Sequence, residues 1–318
     1  MRTPLAALAA GALALPALAQ DFPLTLEHRF GTTVIEERPE RVASVDFAGA
    51  DDLLALGVQP VVIRHWYGEH PRSVWPWAEP LLEGTPEILR GPLDFERIAS
   101  TEPDVIVALW SGITPEEYDR LSLIAPVVAV PEGVGDYALP WDRRALLTGR
   151  AVGREAEAEA RVDAIRERLA EVAAAHPEWR GLTAAVAAAV EGEVGAYTSE
   201  DVRPQILESL GFETPGAIDA RVDGNAFWVT FSPEDLSPLD ADLLIWLAVA
   251  DEFAAVEGIA ARPFLAAHRE GREVILGDAM TSAFSHASLL SLPFAIDRLV
   301  PAIEAALDGD PTTHADDR

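Results

Sequence analysis

The chain has 318 residues, 49% of them hydrophobic, and its 53 Asp and Glu against 24 basic residues leave a formal net charge of −29. That length suits two domains better than one, and a field of this sign repels nucleic acid and anionic lipid, so neither is expected as a partner. Every basic residue among those 24 is Arg, and Cys is absent, which excludes disulfides, thiolate metal sites, a Cys nucleophile and a lipid-modified Cys.

Residues 1–19 start with Met1-Arg2, run apolar and uncharged over 6–15, break at Pro16 and end on Ala17-Leu18-Ala19. This is the layout of a secretory signal, read as cleaved near Gln20. A bilayer span takes about 20 apolar residues, so the run is too short to cross. The expectation is a soluble periplasmic protein without a lipid anchor.

From there strands and helices alternate. A short β segment over 24–30 precedes Pro39-Glu40-Arg41-Val42-Ala43-Ser44-Val45-Asp46, a strand led by its breaker. Residues 50–57 have helical periodicity, early acids and a Gly stop. Strands follow at 58–63, 105–109 and 125–130, with a helix closing at Pro103. Residues 154–176 are Ala, Glu and Arg, with Val162, Ile165, Leu169 and Val172 on one helical stripe. Alternation then resumes, with strands at 182–190, 243–247 and 273–276 and helices at 204–210 and 293–307. The fold class predicted is α/β, two Rossmann-like lobes with mostly parallel sheets joined by one long linking helix. Its boundaries are a lobe over 20–150, the linking helix within 151–178, a second lobe over 179–308, and a disordered acidic tail over 309–318.

The halves echo one another. Glu96-Arg97-Ile98 leads to Asp104 and a β run, Glu234-Asp235-Leu236 leads to Asp242 and a β run at the same offsets, and a Leu-Gly stop lies upstream of each, at Leu56-Gly57 and Leu210-Gly211. Related lobes account for this pattern.

Several runs resemble the helical-backbone class of periplasmic binding proteins, which serves ABC importers of iron–siderophores, haem and cobalamin. They are Pro39-Glu40-Arg41-Val42, Asp52-Leu53-Leu54-Ala55-Leu56-Gly57-Val58, Leu93-Asp94-Phe95-Glu96-Arg97-Ile98 through Ile106, Leu147-Thr148-Gly149-Arg150-Ala151-Val152-Gly153-Arg154, Ser232-Pro233-Glu234-Asp235-Leu236 and Ala241-Asp242-Leu243-Leu244. The resemblance spans nearly the whole chain after the leader. It implies a monomer that carries a small-molecule iron chelate, without a resident cofactor or protein-held metal, to a permease dimer in the inner membrane. It also implies that Glu96 and Glu234 are the permease-docking carboxylates, a role suited to charge-complementary contact.

In open α/β sheets ligands bind beyond the carboxyl ends of the strands. Arg64, His65, Trp66 and Tyr67 follow the strand at 61–63, and Trp110 follows 107–109. Tyr197, Trp228 beside Phe227, and His286 in a Ser-rich stretch are the candidates from the second half, and Arg90 is a further cation. Rings with a few cations suit a bulky ferric siderophore. Haem, with Tyr67 or Tyr197 as axial ligand, and cobalamin stay open. The seven His are scattered, which argues against a Zn or Mn site. No nucleophile elbow, metalloprotease helix, P-loop or dinucleotide fingerprint is present. An exported carboxylate-dependent hydrolase is the alternative from another class; the expectation is a binding protein, not an enzyme.

Overall fold

The computed structural model describes residues 22–48, 50–190, 192–223, 227–232, 234–248, 253–313 and 315–317. Residues 1–19, read above as a leader, lie outside these. In the first half the elements are β1 (Leu24–His28), β2 (Gly31–Ile35), β3 (Val42–Ser44), α1 (Asp51–Ala55), β4 (Pro60–Arg64), β5 (Glu87–Leu89), α2 (Phe95–Ser100), β6 (Val105–Ala108), α3 (Pro115–Ser122) and β7 (Val127–Ala129). Two helices follow, α4 (Trp141–Ala151) and α5 (Glu155–Ala175). The second half holds β8 (Ala184–Val190), β9 (Glu193–Tyr197), α6 (Val202–Ser209), α7 (Gly216–Asp219), β10 (Trp228–Phe231), β11 (Leu243–Leu247), α8 (Phe253–Glu257), α9 (Ala266–Arg269), β12 (Glu273–Leu276), α10 (Asp278–His286), α11 (Ser291–Ala306) and β13 (Ala315–Asp317).

β1 and β2 form a hairpin of their own. The first lobe's sheet runs β5-β4-β3-β6-β7, all parallel, and the second runs β10-β9-β8-β11-β12-β13. In the second sheet β8, β11, β12 and β13 are parallel, while β9 lies antiparallel between β8 and β10. Matching β3 with β8 and β6 with β11 superposes the five strands of the first order on β10-β9-β8-β11-β12, with β13 added at the edge of the second. A second difference is the step from β8 to β9, a tight hairpin where the first lobe uses a helical crossover.

The sequence echo has a physical basis. Asp104 accepts the N–H groups of Glu40 and Arg41, both at 2.8 Å, just ahead of β3. Asp242 accepts Thr183 N–H at 2.8 Å just ahead of β8. Each carboxylate therefore ties the start of its own strand to the start of the neighbouring one. Gly57 (φ +72°) and Gly211 (φ +107°) are left-handed, and the next N–H returns five residues in both, Val58 to Leu53 at 2.9 Å and Phe212 to Leu207 at 3.2 Å. This is the Schellman closure that Gly permits.

Each sheet has two apolar faces, and strand alternation sorts them. Val105 and Val107 face one core, Ile106 and Ala108 another. Leu243, Ile245 and Leu247 share the first of these, while Leu244 and Trp246 face a third. The shared core runs from lobe to lobe, and α5 lies along it with Ala158, Val162, Ile165, Leu169 and Val172 buried. At 1.5 Å per residue α5 is about 32 Å long. It is preceded by a sharp corner at Gly153 (φ +68°). A Cβ on Gly149 would stand 2.4 Å from that of Ala158, so only Gly lets α4 fold back this closely on α5.

The tail departs from expectation. Part of the segment expected to be disordered, Ala315–Asp317, pairs in parallel with β12. Two causes are visible. Asp310 accepts the Thr312 N–H at 2.9 Å, forming an Asx turn, and β12 otherwise ends the sheet with open hydrogen-bonding groups that a following strand satisfies.

Candidate functional site

Parallel strands place their following loops on one edge of the first lobe, and aromatic residues gather there. Arg64, at the end of β4, donates from Nη1 to the carbonyls of Ser111 (3.0 Å) and Val45 (3.4 Å), and its guanidinium lies 3.9 Å from the centre of the Phe47 ring. Burial pushes its pKa down, and no carboxylate among the described residues forms an ion pair with it. Trp66 meets Trp110 edge-on at 5.1 Å and Tyr67 at 4.6 Å. Tyr137, left-handed at φ 64°, brings its ring to 5.5 Å from Trp110 and 6.1 Å from Phe47. Its hydroxyl occupies the space where a Cβ on Gly112 would be, 2.1 Å away.

The second lobe supplies the facing wall. Tyr197 and Trp228 are cross-strand partners on β9 and β10, with ring centres 4.8 Å apart. Arg203, in the first turn of α6, is buried, donates to both oxygens of Asp201 at 2.9 and 3.0 Å and to Ser285 Oγ at 3.1 Å, and lies 4.0 Å over the Tyr197 ring. Phe227 reaches across to Tyr137 at 6.0 Å, and His286 reaches across to Trp66 at 5.3 Å. The rings thus bridge the lobes.

Below this wall a buried polar cluster joins the halves. On α1, Asp51 accepts Trp77 Nε1–H and the Ser288 hydroxyl, both at 2.7 Å. Asp52 accepts Leu289 N–H at 2.9 Å and Arg144 Nε–H at 3.0 Å. Arg144, on α4, donates from Nη2 to the carbonyls of His286 and Ala287, each at 2.9 Å. Burial pushes Asp51 up to about 7 and Asp46, which accepts the Trp110 N–H at 2.7 Å, up to about 6. Burial also drives His286 down to about 3, so the ring is neutral. Since Nδ1 lies 2.8 Å from the Ser282 carbonyl, that nitrogen carries the proton.

Of the residues expected at the site, Arg64, Trp66, Tyr67, Trp110, Tyr197, Trp228 and His286 fall on this one bridged surface. Trp110 and His286 are 4% exposed, so they back the wall instead of presenting a face. The Trp110 indole N–H is already bound to the Tyr137 carbonyl at 2.9 Å. His65 turns to Ser73 Oγ at 3.1 Å, and burial, aided by the Arg90 charge, lowers its pKa. Arg90 is exposed, and among the described residues it lies over none of the aromatic rings, acting only on the nearby His65. Glu96, in the first turn of α2, and Glu234, in the turn after β10, are both exposed. Sequence reasoning missed Phe47, Tyr137 and Arg203. The strand-end rule that found Arg64 also covers Phe47, which follows β3 by three residues. Arg203 was hidden in a segment read as a helix starting one residue later. Among the described residues no group of three or more His, Asp or Glu has a metal-holding arrangement, and no helix is long and apolar enough to cross a membrane.

The family model described as periplasmic binding protein matches residues 42–279. The Fe(3+) dicitrate-binding periplasmic protein FecB of Escherichia coli is 28% identical over 203 residues, covering 62% of this chain and 64% of FecB, so the chain spans less than two thirds of that relative. The ferric-anguibactin-binding protein FatB of Vibrio anguillarum is 25% identical over 302 residues, 89% of this chain and 88% of FatB. Among solved structures, a periplasmic solute binding protein from Mycobacterium smegmatis is 33% identical with a TM-score of 0.77, covering 89% of this chain and 98% of that one. PiaA of Streptococcus pneumoniae in complex with ferrichrome is 27% identical with a TM-score of 0.77, covering 90% and 99%.

Proposed function

The chain belongs to the periplasmic binding protein family, and on that premise we propose that it captures an intact ferric siderophore between its lobes and delivers it to the permease of an ABC importer. The observation that carries this reading is the ring surface bridging the lobes, Trp66, Tyr137 and Phe227 with Arg64 beside it. Flat rings and one unpaired guanidinium suit a large, partly apolar chelate whose iron is already coordinated. Relatives named for ferric dicitrate and ferric anguibactin, and a like fold holding ferrichrome, support it. The leader pattern supports work in the periplasm. Glu96 and Glu234, one exposed carboxylate on each lobe, are the docking points in this reading.

Haem ligation fits less well. Burial pushes the Tyr67 phenol up to about 12 and raises Tyr197, which disfavours the phenolate an iron ligand needs, and His286 is buried behind Trp66. A carboxylate-dependent hydrolase needs acids facing a substrate, whereas Asp46 and Asp51 are buried and bound by Trp110, Trp77 and Ser288. The test is quenching of Trp fluorescence by ferric siderophores, haemin and cobalamin. Saturable quenching by a ferric siderophore is expected; quenching by haemin or cobalamin alone would overturn the proposal.

A further inference from the structure

Beside the bridged surface, on β9 and β10, lies a cavity of about 400 Å³ bounded by Val190, Glu193, Tyr197, Phe227, Trp228 and Thr230. Three of its walls are aromatic, and one is the exposed carboxylate of Glu193, which has no ion-pair partner among the described residues. Among the described residues no basic side chain borders it. The Trp228 indole lies against the backbone of Gly195, whose absent side chain leaves room for the ring. The nearest guanidinium, Arg203 over Tyr197, is already held by Asp201. The Trp228 ring, clear of that guanidinium, together with the Glu193 carboxylate is the chemistry that holds an organic ammonium group. Tyr197 and Phe227 belong both to this cavity and to the bridged surface, so one ligand can occupy both.

Charge is therefore segregated across the site. Arg64 stands unpaired on one wall and Glu193 at the far end of the other. Resting on the siderophore reading above, we propose that the ligand is a ferric chelate with an uncharged, hydroxamate-type iron core and a pendant protonated amine seated against Glu193 and Trp228. A tris-catecholate core carries three negative charges. It would meet one guanidinium without an ion pair among the described residues, Arg64, the Glu193 carboxylate and a chain of net charge −29, so the field selects against it.

The experiment titrates the protein, by Trp fluorescence, with a linear ferric trihydroxamate bearing a free terminal amine and with the same chelate N-acetylated. The free amine is expected to bind about 5-fold more tightly, and that ratio is expected to fall to about one in Glu193→Gln. Equal binding of the two forms, or a ratio that survives Glu193→Gln, overturns the ammonium subsite while leaving siderophore capture standing. Tight binding of ferric citrate or a ferric tris-catecholate with neither hydroxamate bound overturns the ligand class alone. Quenching by haemin or cobalamin and by no iron chelate overturns both.

Discussion

Arg144→Met should be the most damaging single change near the lobe interface. The guanidinium is 1% exposed and makes three hydrogen bonds, to Asp52 and to the His286 and Ala287 carbonyls. Met fills a similar volume but leaves Asp52 as a buried charge held only by the Leu289 N–H, and removes the cation that offsets Asp46 and Asp51. Breaking a buried ion pair from one side costs about 3–5 kcal/mol, and each orphaned buried carbonyl adds about 1–3 kcal/mol before relaxation. A loss of about 4–6 kcal/mol is expected, read as a lower midpoint in urea unfolding followed by Trp fluorescence. The partner change Asp52→Asn removes the stranded charge while keeping an acceptor for Leu289. Combined with Arg144→Met it should recover at least ~1.5 kcal/mol relative to the sum of the singles. A single-variant loss below about 1 kcal/mol, or strict additivity in the cycle, would refute the reasoning.

Three further outcomes follow from the same geometry. Asp51, raised to about 7 in the fold, contributes stability that is full below the unfolded carboxylate pKa and is lost as pH rises toward 7; His286, lowered to about 3, contributes stability present above the unfolded imidazole pKa and lost as pH falls toward 3. Between pH 4 and 6.5 the two oppose, so Asp51→Asn should lose acid stability relative to wild type and His286→Gln should gain it, in thermal melts across pH; parallel curves would refute both assignments. Gly195→Ala would put a Cβ 2.2 Å from the Trp228 ring, a rigid group that must then swing out. Ligand affinity should fall about 10-fold, in keeping with loss of one aromatic contact, and an unchanged affinity with an unchanged Trp spectrum would count against Trp228 as a wall. Glu96→Arg combined with Glu234→Arg should leave ligand quenching intact and abolish uptake by cells, and transport that survives would remove the docking roles.

The legible features were those encoded within a few residues. Helix stops at Leu56-Gly57 and Leu210-Gly211 show in sequence because Gly takes the left-handed closure without the Cβ penalty other residues carry. The strand at Glu273–Leu276 matched its expected bounds, and α5 came within one residue at each end of the stretch read as helical. The Asp104 and Asp242 echo was visible as spacing, though its cause, a carboxylate tying neighbouring strand starts, needed coordinates. The β8–β9 hairpin passed unnoticed because the long Ala-rich run of β8 masked the short turn marked by Gly192 (φ +85°), and the tail strand because its pairing depends on a distant open edge.

What residue order alone determined is therefore the punctuation and periodicity of two related α/β halves and the long helix between them, since capping and burial stripes act over one or two turns. The tertiary structure alone decided which chemistry meets. Asp52 finds Arg144 across 92 positions, Ser288 finds Asp51 across 237, and Tyr137 faces Phe227 from the other lobe. Those meetings depend on how two separately twisted sheets dock against shared helices, and no local propensity carries that information.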